Sequence, residues 1–191
     1  MTRKEPGASD SSPIGFWLVP APAHHRHFAA IIEGLARELN APRFEPHVTL
    51  YAGARAADDD VEALLAQAKQ GMGALDLRVT AVGTSPELLK TLYLEFEPDP
   101  QTERLCRLFR TGLKPALDYV LKPHLSLLYK ELPGATRGAL ARRFDDVVGQ
   151  RITFAQITAV RPGGGANDWL EIEKWDVWLR KDLGNQSSAQ R

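Results

Sequence analysis

Cysteine is nearly missing from this 191-residue chain: Cys106 is the only one. An intramolecular disulfide and a multi-cysteine zinc site are therefore both excluded, which suits a reducing compartment. The charge bias of a long-polyanion binder is also missing. Lys and Arg total 24 and Asp and Glu total 24, so the chain as a whole has no basic excess with which to hold nucleic acid. One small anion remains within reach, because a few local donors suffice for a phosphate. No run of apolar residues approaches the length of a membrane span, and Met1 to Pro13 holds no apolar stretch of signal-peptide length. A Gly-x-Ser-x-Gly elbow is missing, so a serine hydrolase has little support. The expectation is a soluble, cytoplasmic protein with no membrane association and no obligate protein partner.

The remaining composition, 43% hydrophobic and 25% charged, is that of a globular chain. Residues 1–13 and 184–191 are rich in small and polar residues and read as mobile tails around one domain over 14–183. Within it, strands and helices alternate. Gly15 to Val19 is an apolar run closed by Pro20, and 23–40 carries apolar residues at helical spacing. A strand over 46–51, a helix over 58–70 opened by an Asp cluster, and an alternating strand over 75–83 follow. The series then recurs: strand 91–97, helix 100–118, strand 123–129, helix 134–147 and strand 151–160. Residues 168–180 read as one long strand or a tight pair.

The recurrence is visible in the residues themselves. Phe44-Glu-Pro-His-Val-Thr-Leu-Tyr51 parallels Leu121-Lys-Pro-His-Leu-Ser-Leu-Leu-Tyr129, with His47 and His124 separated by 77 positions (124 − 47). The same offset relates Phe16 to Tyr93. Two copies of a unit this long predict a pseudo-symmetric pair of sheets with a cleft between them, not a solenoid.

Residues two apart on a strand share a face. His47 therefore projects with Thr49, and His124 with Ser126, while Val48, Leu50, Leu125 and Leu127 point the other way. Pro46 and Pro123 have no N–H to donate, so each fits the first residue of a strand and sets its phase. Two imidazoles across a cleft suit phosphoryl chemistry: one takes a proton from water and the other gives one to the leaving oxygen. The hydroxyls of Thr49 and Ser126 can donate to non-bridging phosphate oxygens. No carboxylate cluster with metal-ligand spacing accompanies the motifs, so neither a metal nor another cofactor is expected. A lone strand histidine is more often structural than catalytic; the duplication is what shifts the reading toward function.

These residues resemble the 2H phosphoesterase superfamily, defined by two His-x-Thr/Ser motifs, and within it the plant- and yeast-type cyclic phosphodiesterases. The matching segments are Phe16-Trp-Leu-Val-Pro20, Pro42-Arg-Phe-Glu-Pro-His-Val-Thr49, Pro123-His-Leu-Ser-Leu-Leu-Tyr-Lys-Glu-Leu132 and Leu170-Glu-Ile-Glu-Lys-Trp175. The resemblance implies a bilobal α+β fold, with two antiparallel sheets lining a central cleft and helices outside. It implies hydrolysis of nucleoside 2′,3′-cyclic phosphates to 2′-phosphates and of ADP-ribose 1″,2″-cyclic phosphate. His47 and His124 match the catalytic pair, Thr49 and Ser126 the phosphate-binding hydroxyls, and Trp17 and Tyr129 the aromatics that flank the ligand. The plant-type proteins carry several cysteines; with one, this chain has no redox gate of that kind.

Strict alternation puts Tyr51 on the His47 face and Tyr129 opposite His124, unless a bulge or the strand end turns Tyr129 to the cleft. Lys90, just ahead of a strand, is a candidate for neutralising phosphate. His24, His25 and His27 read as a solvated helix end, Arg142-Arg143 as a solvated helix face, and Gly163-Gly-Gly165 as a flexible connection. Two rival functions remain open: a 2′–5′ RNA ligase-like enzyme acting on RNA ends, and a non-catalytic sensor of a cyclic nucleotide.

Overall fold

A computed structural model describes residues 11–163 and 174–184. The elements are β1 (Ser12–Pro20), α1 (Pro22–Leu39), β2 (Val48–Arg55), α2 (Val61–Lys69), β3 (Leu75–Thr84), β4 (Leu92–Phe96), α3 (Pro100–Gly112), β5 (His124–Leu128), α4 (Gly134–Ala141), β6 (Arg151–Pro162) and β7 (Trp175–Asp182). Local chemistry sets their ends. Pro22 occupies the first turn of α1, where its missing N–H costs nothing, and Asn40 closes that helix in the left-handed region at φ 49°. Asp60 accepts from the Ala63 N–H to cap α2, and Asp99 accepts from the Gln101 and Thr102 N–H groups to cap α3.

Several expected boundaries move. The strand expected over 46–51 runs Val48–Arg55, the helix expected over 58–70 runs Val61–Lys69, and the strand expected over 123–129 runs His124–Leu128, so Pro46 and Pro123 precede their strands and do not open them. The first strand begins at Ser12 instead of Gly15. Helix α3 ends at Gly112 instead of 118, because Pro115 disfavours the α conformation at Lys114 and Leu113 is already extended. The last helix is α4 followed by a 3-10 segment over Arg142–Val147. Of the strand expected over 168–180, residues 168–173 lie outside the described residues, as do residues 1–10 and 185–191 of the two expected tails and Gly164 and Gly165.

All strand pairs are antiparallel. One half of the sheet runs β2-β1-β6-β7 and the other β5-β4-β3. Each half takes its third strand from the other repeat: β6 of the second unit completes β1–β2, and β3 of the first completes β4–β5. The helices cross over likewise, α1 against β5 and α3 against β2. The two expected sheets are thus joined into one ring of pairings. At one join, β3 and β6 pair from Leu75–Phe154 to Arg78–Arg151. At the other, β2 and β5 meet through the single pair Val48–Leu125. Those two residues are repeat equivalents, so the pseudo-two-fold axis passes between them.

The helices cover one face of this ring. Phe16 of β1 and Phe109 of α3 stack there with centroids 4.0 Å apart and both are fully buried. Their contact ties the first repeat to the second. Phe109→Ala removes that contact and leaves a cavity, and is expected to cost about 3–5 kcal/mol in a urea unfolding experiment, the usual scale for a buried aromatic. A loss below about 1 kcal/mol would show that the two repeats do not depend on this stack.

Candidate active site

The two histidine strands approach each other at the Val48–Leu125 pair, whose side chains are fully buried on the core side. His47, Thr49 and His124 therefore emerge on the opposite face. They line one cavity of about 590 Å³ together with Trp17, Tyr129 and Trp175, and with Leu89, Leu117, Pro13, Ala52, Gly53 and Ala54. That volume suits a small organic ligand, and the walls are mostly apolar with a few polar groups converging.

Both imidazoles are held the same way. His47 Nδ1 lies 2.6 Å from the Glu45 carbonyl and His124 Nδ1 2.7 Å from the Lys122 carbonyl. A carbonyl can only accept, so each Nδ1 carries the proton, and each Nε2 is the position left for a ligand. An aromatic ring braces each one. Trp17 stacks on His47 with centroids 3.8 Å apart and planes 11° from parallel, and Tyr93 sets its ring edge-on to His124 at 5.4 Å.

A matched pair of bulges explains the remaining aromatics. Along β1–β2 the register passes from Trp17–Thr49 to Phe16–Tyr51, which leaves Leu50 as an extra residue. Along β4–β5 it passes from Tyr93–Ser126 to Leu92–Leu128, which leaves Leu127 extra. Trp17, not Phe16, is therefore the structural equivalent of Tyr93. The alternation reverses beyond each bulge. Tyr51 turns into the core, fully buried, where its hydroxyl accepts from the Leu117 N–H at 3.3 Å; the expectation that it shares the His47 face is corrected. Tyr129 turns to the cavity, stacked on Phe44 at 3.9 Å.

Ser126 is buried beneath the cavity, and its hydroxyl shares a hydrogen bond with that of Tyr129, whereas Thr49 reaches the cavity wall directly. Burial pushes the Tyr129 hydroxyl up to about 12. Lys90 lies outside the main cavity, its Nζ 4.4 Å above the Tyr93 ring, and borders a smaller neighbouring pocket with Glu95, Lys122 and His124. Of the histidines at the start of α1, His24 accepts from the Thr153 N–H through Nδ1, a structural role. Among the described residues no three His, Cys, Asp or Glu side chains come together as a metal site, and no helix is long and apolar enough to cross a membrane.

Burial lowers the affinity of both imidazoles for a second proton. For His47 it outweighs the Glu45 hydrogen bond, and with repulsion from His124 it brings the value down to about 4. His124 is also lowered, first by burial and then by the Lys90 ammonium, against the Lys122 hydrogen bond and the carboxylates of Glu95 and Glu87, which favour the proton. His47 is neutral at pH 7.

Phe44, Tyr93, Leu117 and Trp175 are contributors that motif reading did not assign to the site. Trp175 sits 5.2 Å from Trp17 and 6.1 Å from His47. Leu117 arrives on the connection after α3, which has no motif of its own.

Comparison with known proteins places the chain in a family and matches its fold. Residues 20–165 match the family model of the 2′-5′ RNA ligase superfamily, and the chain belongs to that family. It is 28% identical over 116 residues to a cyclic phosphodiesterase of Arabidopsis thaliana, an alignment that covers 61% of this chain and 64% of that relative's length. In three dimensions it resembles TT0787 of Thermus thermophilus (TM-score 0.60, 17% identity, 92% of this chain and 100% of that one). It also resembles E. coli LigT in its apo form (TM-score 0.57, 11% identity, 93% and 100%) and in complex with 3′-AMP (TM-score 0.56, 14% identity, 92% and 100%).

The depressed proton affinity of His47 has a consequence for stability. A histidine whose folded value lies below its unfolded value stabilises the protein above pH 6.5, and that contribution is lost as pH falls toward 4. Between pH 7 and pH 4.5 the wild type is expected to lose about 2 to 3 kcal/mol more than His47→Gln in urea unfolding. Parallel pH dependences for the two proteins would show that His47 does not resist protonation.

Proposed function

We propose that the protein is an enzyme that hydrolyses cyclic phosphodiesters by two-histidine general acid–base catalysis. The observation that carries this reading is the convergence of His47 and His124 on one cavity with both Nδ1 atoms committed to carbonyls. The phosphate of the substrate sits across the pseudo-two-fold axis, between the two Nε2 positions. A neutral imidazole accepts a proton from water as its oxygen forms a bond to phosphorus. The bond from phosphorus to one ring oxygen breaks, and that oxygen takes the proton of the partner imidazolium. Hydrolysis opens the ring to a phosphomonoester, and passing one proton from the first imidazole, now charged, back to its partner through solvent restores the starting state. Thr49 donates its hydroxyl to a non-bridging oxygen from the cavity wall. Ser126 does so by turning its hydroxyl from Tyr129 to phosphate.

A nucleoside 2′,3′-cyclic phosphate yielding the 2′-phosphate is the substrate this reading puts first, and ADP-ribose 1″,2″-cyclic phosphate the second. Support comes from the cavity volume, from its aromatic walls at Trp17 and Trp175, and from the cyclic phosphodiesterase among its relatives. Binding of 3′-AMP by LigT shows that a relative of the same fold accepts a mononucleotide.

His47→Ala and His124→Ala are each expected to lower kcat by about 10²–10⁴ on a 2′,3′-cyclic nucleotide, the usual contribution of one general acid or base. The double variant should lose less than the product of the two, since the residues act as a unit. Near-wild-type turnover by either folded single variant would remove the acid–base assignment.

The pH dependence follows from the two lowered affinities. Activity requires one proton on the pair. It is lost below the lower value, where both imidazoles are charged, and above the higher, where neither is. Both limbs of the kcat/KM profile are expected on the acid side of pH 6.5. A profile still rising above pH 8 would contradict the scheme. Turnover should persist in excess EDTA; abolition by EDTA with recovery on adding a divalent cation would show that a metal takes part.

A further inference from the structure

The pseudo-symmetry of the site is broken behind His47. Position 45 is glutamate in the first motif, and its equivalent, position 122, is lysine. The Glu45 carboxylate accepts two contacts from Arg180 Nη2, at 2.9 Å and 3.2 Å, and lies 3.4 Å from His25 Nε2, with no hydrogen bond between them. Among the described residues Lys122 forms no comparable ion pair. Arg180 belongs to β7, the one described strand that lies outside the two repeats. Its register runs straight to the site: Arg180 pairs with Thr158 on β6, Thr158 pairs with Trp17 on β1, and Trp17 stacks on His47.

The same residue that Arg180 grips supplies the carbonyl that orients His47. Only Pro46 separates them, with its backbone torsion limited by the ring. A rotation of the Glu45 peptide would carry the 2.6 Å Nδ1 contact with it and swing Nε2 away from the cavity. The ion pair itself is two-fifths exposed at the arginine, so it contributes little to folding. Its effect falls on orientation.

We propose that Arg180, acting through Glu45, is a positioning residue that fixes the direction of His47, a role with no counterpart at His124. The proposal rests on the two-histidine reading above.

The test combines kinetics on a 2′,3′-cyclic nucleotide with 15N NMR of the imidazoles in the full chain. Arg180→Met and Glu45→Gln are each expected to lower kcat about tenfold, the scale of a small misplacement of a reacting group, with KM changed less than about twofold. The double variant should be no worse than either single one. Arg180→Lys should recover part of the loss. Arg143→Met breaks a similar exposed pair with Glu38 at 3.0 Å and should leave both kinetics and melting temperature unchanged. In Arg180→Met the His47 Nδ1–H signal should broaden or shift toward a mixture of tautomers while that of His124 stays. Wild-type kcat in Arg180→Met, or an unchanged His47 signal, overturns the proposal. If the wild type fails to open any cyclic nucleotide, the functional reading falls by itself, and the His47 signal alone then decides the positioning role.

Discussion

One backbone pairing carries the site. Strands β2 and β5 pair in the sheet only through Val48 and Leu125, the equivalent residues of the two repeats. Because side chains alternate along a strand, burying those two residues on the core side obliges His47, Thr49, His124 and Ser126 to the other face. A shift of one residue in that contact would send both imidazoles into the core. The crossed arrangement around it, with each half of the sheet completed by the other repeat's strand and helix, makes such a shift costly throughout the molecule. Site geometry and folding are therefore set by the same apolar contacts.

Two identical polypeptide solutions hold the imidazoles, and two different surroundings distinguish them. Each Nδ1 is tied to the carbonyl two residues earlier, which fixes the tautomer without spending a carboxylate. His47 lies under Trp17 with its Nδ1 on the Glu45 carbonyl, almost out of contact with water. His124 is more open and surrounded by Lys90, Glu95 and Glu87. Nearly equal geometry with unequal electrostatics is what a pair needs to hold one proton between two sites.

Much of this was legible in the sequence because it depends on short-range periodicity. Spacing by two sets the face, although the strands start at Val48 and His124, after the prolines and not at them. The duplication over 77 positions sets the relation between the motifs. What stayed hidden depends on partners across the fold. The bulges at Leu50 and Leu127 exchange one apolar residue for another and leave no signal in composition, yet they send Tyr51 inward and Tyr129 outward. The match of Phe16 with Tyr93 failed for the same reason: the extra residue lies on the neighbouring strand. Exchange of the third strands between repeats follows from pairing energies summed over distant segments. Arg180 lies 135 positions from Glu45, and nothing local links the two.

The central claim is that His47 and His124 address one phosphate at the pseudo-two-fold axis. The most direct test is a titration of the uniformly 15N-labelled protein with inorganic phosphate, following the two Nε2 resonances. Both are expected to move together along a single binding curve, and His47→Gln should weaken the curve still seen at His124. Shifts confined to one histidine, or two curves with separate midpoints, would contradict a shared site.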